Sequence, residues 1–206
     1  MTIRYHKNDL PDLSHYEGVE AVAVDTETLG LNPHRDRLCV VQLSPGDGTA
    51  DVVQIARGQK SAPNLARLFT DPAKVKIFHF ARFDLAVLYQ YLGITVSPVW
   101  CTKIASKLVR TYTDRHGLKD ITRELVGVDL SKQQQSSDWA AETLTDAQLA
   151  YAASDVLHLH ALRAQLQMML EREERTGFAQ ACFEFLPTRA RLDLLGWEEQ
   201  DIFAHS

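Results

Sequence analysis

A Val-rich apolar segment, Val19–Asp25, constrains the fold most because it is typical of a buried strand and ends in acidic residues. Two more strand-like segments follow, Leu38–Leu43 and Asp51–Ile55, separated by turn-forming residues. Strands joined by short turns typically pair as an antiparallel meander. The first part of the chain therefore predicts a sheet.

Strand and helix signals alternate in the rest of the chain. Two further strands are predicted at Val75–His79 and Val96–Cys101. Apolar residues at helical spacing predict four helices: Pro63–Phe69, Arg82–Leu92, Thr102–Arg110 and Leu118–Val126. Thr145 and Gln148 form a capping-box pattern that starts a long helix reaching Met169. These signals predict an α/β fold, a mixed five-stranded sheet flanked by helices.

Two regions lie outside this alternation. Residues 127–142 are polar and aperiodic and predict a long loop, and loops of that length are often functional. The tail after Glu171 has apolar residues at helical spacing, and Pro187 is expected to interrupt it. We expect one domain over residues 1–170. We also expect a helical C-terminal extension over 171–206, packed on the domain or in an oligomer interface.

Composition narrows the class of protein. The 206 residues are 45% hydrophobic, which suits one domain with a full core. A net charge of −5 argues mildly against a nucleic-acid coat protein but not against a nuclease. The first ten residues are polar, and no apolar run approaches the roughly 20 residues that span a bilayer, so we expect a cytoplasmic protein without membrane contact. The three cysteines are expected to be reduced thiols, not zinc ligands.

The acidic residues carry the chemistry. Asp25 and Glu27 are two residues apart in a strand, so their side chains share one face. Asp84 lies in the first turn of a predicted helix, where the helix dipole favours a carboxylate. Tyr151 and Asp155 are four residues apart and share a helix face. Each feature alone has a structural explanation, but carboxylates gathered at one point would repel unless cations held them together. A divalent-metal hydrolase is the hypothesis that explains them jointly.

The order of these residues resembles a known family. Asp-x-Glu on a strand, His79–Asp84 at a strand-to-helix turn and Tyr-x-x-x-Asp on a late helix resemble the DEDDy class of 3′–5′ exonucleases. That class includes the ribonuclease D group and has the ribonuclease H-like (DnaQ-like) fold. Further phrases, Asp25–Asp36 and Arg110–Gly117 among them, are similar to the compact nanoRNase members of the group. Phe80 stands where some relatives have Asn, so we expect no polar role at this position.

The resemblance implies a mechanism and a substrate. Asp25, Glu27, Asp84 and Asp155 would hold two divalent metal ions, Mg²⁺ or Mn²⁺, and Tyr151 would orient the attacking water. The expected reaction is 3′–5′ hydrolysis of short RNA, preferably dinucleotides, with release of nucleoside 5′-monophosphates. The resemblance also implies a homo-octameric ring. The alternatives are a 3′–5′ exonuclease for longer RNA or DNA, and an inactive nucleic-acid-binding module.

Several residues are candidates for substrate contact. Leu29 could wedge between bases, and Gly30 could allow close backbone approach, although both could simply form a turn. Trp139, in the long loop, could stack on a base or anchor the loop. The other candidates near the acidic residues are Thr28 and His79.

A basic segment is the other candidate for substrate contact. Between Lys103 and Lys119 there are five Lys or Arg residues and one acid. Lys103, Lys107 and Arg110 share a predicted helix face, which could be a phosphate track or a solvated surface.

Overall fold

The computed structural model describes residues 2–131, 133–134 and 136–205. The first residue of the predicted domain, Met1, the last residue of the predicted extension, Ser206, and two residues of the predicted loop, Lys132 and Gln135, lie outside the described residues. Six strands form one mixed sheet in the order β1-β4-β3-β2-β5-β6. The strands are β1 Thr2–Lys7, β2 Ala21–Thr28, β3 Leu38–Ser44, β4 Thr49–Gln54, β5 Val75–Phe78 and β6 Val99–Cys101.

The pairing of the strands confirms the predicted meander. β2 pairs antiparallel with β3, and β3 pairs antiparallel with β4. β5 lies parallel to β2 and β6 parallel to β5. The mixed α/β class is therefore confirmed, and the strand count needs one correction, because the sheet has six strands and not five.

The additional strand is β1, which lies parallel to β4 at the edge of the sheet. Sequence reasoning missed it because its residues are mostly polar, as edge strands often are. Arg4 and His6 alternate onto one face, where both contact Asp51 of β4. Polar pairing across strands, and not an apolar pattern, therefore holds this edge.

Seven α-helices occur in the described residues: α1 Pro63–Thr70, α2 Ala81–Leu92, α3 Thr102–Val109, α4 Leu118–Val126, α5 Asp146–Leu157, α6 Leu159–Arg172 and α7 Thr176–Leu192. The capping box is confirmed, since the Thr145 Oγ1 accepts a bond from the Gln148 backbone N–H at 3.2 Å. The predicted single helix is wrong, because it divides into α5 and α6 at His158.

The helix α7 differs from its prediction. Pro187 does not interrupt it, and the helix continues through this residue to Leu192. Proline removes one backbone donor and disfavours a helix interior. Phe183 and Leu186 on one side of Pro187 and Ala190 on the other are buried, so packing offsets that cost.

Helices cover both faces of the sheet. Val40 of β3 and Val52 of β4 pack with Trp139 and with Ala152 of α5. The next residues along these strands, such as Val41, belong to the larger core on the opposite face. Alternation along the strands explains this division. It also places α5 over the face that carries Asp25, whose strand partner is Gln42.

The chain after α7 is attached to α2. Arg82 of α2 donates to both carboxylate oxygens of Asp193, at 2.5 and 2.8 Å. Arg189 of α7 also contacts Asp193, at 2.9 Å. The C-terminal segment therefore lies against the helix that carries Asp84.

Two further observations concern the state of the cysteines and the possibility of a membrane span. Cys39 and Cys101 are buried free thiols, and Cys182 is an exposed one. Among the described residues, none of the helices combines the length and the apolar character that a membrane span requires.

Candidate active site

Three acidic side chains from two elements meet at one point. Asp25 and Glu27 extend from β2, and Asp155 extends from α5. One oxygen from each of the three carboxylates lies within 4.8 Å of the others. Asp155 is buried, and the other two are partly buried. The two-residue spacing in a strand and the packing of α5 on the same face bring them together.

Asp84 lies beside this group and is held by a neighbour. It is buried in the first turn of α2, and its Oδ1 accepts a bond from the Thr26 hydroxyl at 2.6 Å. Thr26 lies between the two acidic residues of β2. Sequence reasoning missed Thr26, although a hydroxyl residue between two candidate acids is a signal that could have found it.

Gln42 is a second neighbour that sequence reasoning missed. It is buried opposite Asp25 in the β2–β3 pair, and its Nε2 donates to Asp25 Oδ2 at 3.2 Å. An amide in the otherwise apolar segment of β3 was the available signal. Because an amide is neutral, Gln42 fixes the orientation of Asp25 without neutralising its charge.

The acidic group lacks a cationic partner within the described part of the chain, since the ion pairs found there involve other acids. Burial raises the pKa of Asp25. Burial raises the pKa of Glu27 too, and the charges of the neighbouring acids add to that effect. Burial and the charge of Asp25 likewise raise the pKa of Asp84 and of Asp155. The site is therefore electrostatically incomplete with the described protein groups alone.

Tyr151 lies one helical turn before Asp155. Burial, followed by the charges of Asp155, Glu27 and Asp25, raises the pKa of its hydroxyl. The hydroxyl therefore stays protonated at neutral pH and can donate a hydrogen bond. It is poorly suited to act as a general base.

Trp139 packs against Tyr151, with ring centroids 6.0 Å apart. Only 2% of Trp139 is exposed, and it belongs to the core cluster under α5. This burial supports the anchoring role over stacking on a base. Its Nε1 has no hydrogen-bond partner among the described residues.

The acids lie in a cleft of about 710 Å³. The candidate substrate residues that line it are Thr28, Leu29, Gly30, His79 and Trp139. Half of the Leu29 surface is exposed, so this side chain is available to contact a base. His79 bonds the Thr102 hydroxyl through Nδ1 at 2.9 Å, and burial lowers its pKa to about 3. A neutral His79 therefore lines the cleft.

The turn after Glu27 has its own structural constraints. The Leu29 N–H donates to the Arg37 carbonyl at 3.2 Å, so it is already engaged. The Thr28 hydroxyl donates to the Gly30 carbonyl at 2.5 Å. A Cβ at Gly30 would lie 2.3 Å from Asp36 Oδ2, so a side chain here would displace the Asp36 carboxylate. Close approach of a substrate backbone is not needed to explain Gly30.

The predicted phosphate track needs a correction at Arg110. Its side chain is fully buried and forms an ion pair with Glu124. Its Nη1 also donates to Ser106 Oγ at 3.0 Å and to the Arg115 carbonyl at 2.6 Å. Arg110 therefore stabilises the turn between α3 and α4, and it does not present its charge to a substrate.

The lysines of the basic segment differ from one another. Lys103 Nζ lies 4.3 Å from the centroid of the Phe80 ring, and Phe80 lines the cleft. Lys107 is exposed but is not among the cleft residues. Lys119, at the start of α4, does line the cleft. The basic segment thus reaches the cleft at Lys119 and, beside Phe80, at Lys103. It does not follow the cleft along a continuous helix face.

The ligand set at the acidic group fits a hard divalent cation. The available donors are carboxylate oxygens from Asp25, Glu27 and Asp155, with Asp84 close by. Mg²⁺ and Mn²⁺ prefer such oxygen ligands. A cation there would also offset the repulsion that raises the carboxylate pKa values.

The fold and the acids together define a DnaQ-like exonuclease class of protein, and comparison with known proteins agrees. The 3′–5′ exonuclease family profile matches residues 9–171. Ribonuclease D of Gluconacetobacter diazotrophicus is 38% identical over 156 residues, which cover 76% of this chain. DNA polymerase I of Aquifex aeolicus is 39% identical over 147 residues, which cover 71% of it. The chain spans only 38% of that ribonuclease D and 24% of that polymerase.

Solved structures of Brucella melitensis NrnC match along the whole length. The structure with bound Mg²⁺ is 68% identical, has a TM-score of 0.97, and is aligned over 100% of both chains. The structure bound to pGG is 69% identical with the same TM-score and coverage. The chain belongs to the 3′–5′ exonuclease family, and within it to the ribonuclease D and NrnC type.

Proposed function

We propose that the protein is a metal-dependent 3′–5′ exoribonuclease that hydrolyses short RNA to nucleoside 5′-monophosphates and prefers dinucleotides. The observation that carries this proposal is the cluster of Asp25, Glu27 and Asp155, whose carboxylates converge without a cationic protein partner among the described residues. The bound Mg²⁺ and pGG of the similar NrnC support both the metal and the substrate, since pGG contains two nucleotides.

The residues of the cleft have distinct roles in this proposal. Asp25, Glu27, Asp84 and Asp155 would hold two divalent ions, which supply activation of water and stabilisation of the charge that develops on the phosphate. Tyr151 donates a hydrogen bond that orients the attacking water, consistent with its raised pKa. Leu29 contacts the bases from its exposed position, and Thr28, Gly30 and His79 form the adjacent wall.

Two other features bear on access to the site. Lys103 and Lys119 lie at or beside the cleft, where they can attract phosphates. Several apolar residues near the C-terminus are exposed, including Phe178, Leu195 and Phe203. We propose that they form contacts between copies of the chain in a homo-octamer, which light scattering tests. A cytoplasmic location remains a prediction.

A substrate panel tests the reaction. RNA and DNA strands of two to seven nucleotides, labelled at the 5′ end, are incubated with Mg²⁺ or Mn²⁺, and an Asp25→Asn variant serves as the control. We expect the fastest turnover on the RNA dinucleotide and removal of nucleotides from the 3′ end. Equal rates across all lengths would contradict the dinucleotide preference. Hydrolysis by the Asn variant would contradict the assigned site.

A second candidate function is a 3′–5′ exonuclease for DNA. The similarity to a DNA polymerase I is the observation that favours it. The same acids would serve on either sugar, so the cleft alone does not distinguish them. The 2′-hydroxyl is the group that separates RNA from DNA, and the DNA arm of the panel measures its effect directly.

A further inference from the structure

A second concave surface adjoins the catalytic cleft and is rich in basic residues. We call it the Arg37 groove, with a volume of about 700 Å³ and a lining that includes Leu29, Arg35, Arg37, Arg57, Lys60 and Tyr91. No acidic residue is among its described lining residues. The chain as a whole has a net charge of −5, so this concentration of positive charge is local.

The guanidinium of Arg37 is held in place by the backbone. Its Nη1 donates to the carbonyl oxygens of Leu38 and Ile55, both at 3.1 Å. Arg35 pairs with Asp36, whereas Arg37, Arg57 and Lys60 have no acidic partner in the part of the chain that the structure describes. A fixed arginine with free donors is suited to bind phosphate oxygens.

The Arg37 groove is continuous with the catalytic cleft through shared residues. Leu29 lines both, and its N–H bonds the Arg37 carbonyl across the turn. Trp139 lines the cleft, and its neighbour Ala140 lines the groove. A strand whose 3′ end reaches the acids could therefore pass over Leu29 and enter the groove.

We propose that the Arg37 groove binds the phosphodiester backbone of single-stranded RNA that extends beyond the catalytic cleft. This inference rests on the proposed function and adds a site that acts only on strands longer than the cleft holds. Basic grooves that follow the backbone are the usual way to bind single strands without reading their sequence. Arg57 and Lys60 do not line the catalytic cleft, so we do not expect a dinucleotide held there to depend on them.

Charge reversal of the exposed groove residues tests the proposal. Arg57→Glu with Lys60→Glu is made in an Asp155→Asn background, so that labelled RNA binds without being cut. The matched control is Arg67→Glu with Arg172→Glu, because these exposed residues line neither surface and the change in net charge is the same. Fluorescence anisotropy gives the Kd for a heptanucleotide and for a dinucleotide at several salt concentrations. Light scattering gives the molar mass of each variant.

We expect the groove variant to bind the heptanucleotide about tenfold more weakly. Its salt slope should fall by about 1.4, which corresponds to two lost phosphate contacts on a single strand. Dinucleotide affinity should not change, nor should dinucleotide turnover when the same pair is placed in the active protein.

Several results would overturn the proposal. They are an unchanged heptanucleotide Kd, an equal loss in the control, and an equal loss on the dinucleotide. A changed molar mass with unchanged strand affinity would also overturn it, since the groove would then be a subunit contact. If the active protein hydrolysed neither RNA but binding still depended on the groove, the catalytic proposal would be wrong and the groove would stand.

Discussion

Asp51 and the acids of the cleft lie in or beside the same sheet, and they differ in what surrounds them. Asp51 of β4 accepts two bonds from Arg4 at 2.8 Å, one from His6 at 2.8 Å and one from Tyr16 at 2.6 Å. Burial alone would raise its pKa, but the bonds from these partners lower it. The groups that bond the Asp51 carboxylate are thus side chains of the protein itself.

The acids of the cleft show the opposite arrangement. Asp25 accepts a bond from the neutral amide of Gln42, and Asp84 accepts one from the hydroxyl of Thr26. Burial raises the pKa of each cleft acid, and the charge of Asp25 raises it further for Glu27, Asp84 and Asp155. A buried charge becomes costly when one of its partners is removed, whereas buried charges without partners mark a candidate cation site. The same residue type therefore has opposite roles in two parts of one sheet.

The largest expected effect is the loss of activity on changing Asp155→Asn. The substitution keeps the shape of the side chain but removes a proposed metal ligand. Turnover should fall by far more than roughly 100-fold, the upper range for losing an outer partner of a metal site. The free energy of unfolding in EDTA should stay equal or rise, because the change removes repulsion. Near-normal turnover at saturating Mg²⁺ would show that Asp155 is not a ligand.

The same substitution at Asp51 should have the reverse outcome. Asp51→Asn removes the charge that pairs with Arg4 and His6, and we expect a loss of about 3 kcal/mol in the free energy of unfolding. Turnover per folded molecule should stay unchanged, because Asp51 does not line the cleft. Urea unfolding and a dinucleotide assay at low temperature measure the two effects. A variant with normal stability and low turnover would contradict the distinction between Asp51 and the cleft acids.

The stability difference at Asp51 should also depend on pH. The pKa of Asp51 is lower in the folded chain than in the unfolded chain, where it is about 3.9. Its contribution is therefore present above that value and is lost as pH falls through the folded pKa. The difference between wild type and Asp51→Asn should be constant between pH 6 and 8 and should shrink below about pH 4. A difference that grew on acidification would contradict the assigned sign.

The sequence predicted the elements that carry the cleft acids because their periodicities are local. Spacing of two in a strand placed Asp25 and Glu27 on one face, and spacing of four placed Tyr151 beside Asp155. The capping box marked the start of α5 for the same reason. Local patterns of this kind depend on backbone geometry and not on distant contacts.

Features that depend on distant partners could not be predicted in this way. Arg4 and Asp51 are 47 residues apart, so the partners that hold β1 have no local signature. Arg110 is basic and directly follows α3, but Glu124, outside the basic segment, pairs with its charge. The pattern shows that a side chain is charged, and only the fold shows whether another residue already neutralises it.

The smallest expected effect concerns Thr26, which the pattern did not identify. Thr26→Val removes the hydroxyl that bonds Asp84 and leaves a buried carboxylate oxygen without its donor. Loss of a bond to such a group lowers the free energy of unfolding by about 1–3 kcal/mol. The Mg²⁺ concentration for half-maximal turnover should therefore shift, because Asp84 loses the group that orients it.

Thr122→Val is the matched control for this change. Thr122 is also buried, and its hydroxyl has no partner among the described residues, so its removal should leave both stability and Mg²⁺ dependence unchanged. If both variants shifted the Mg²⁺ midpoint equally, the effect would come from altered packing. If only Thr26→Val shifted it, a neutral hydroxyl would be shown to tune an acid that has no cationic partner among the described residues, whereas Asp51 pairs with the cationic Arg4.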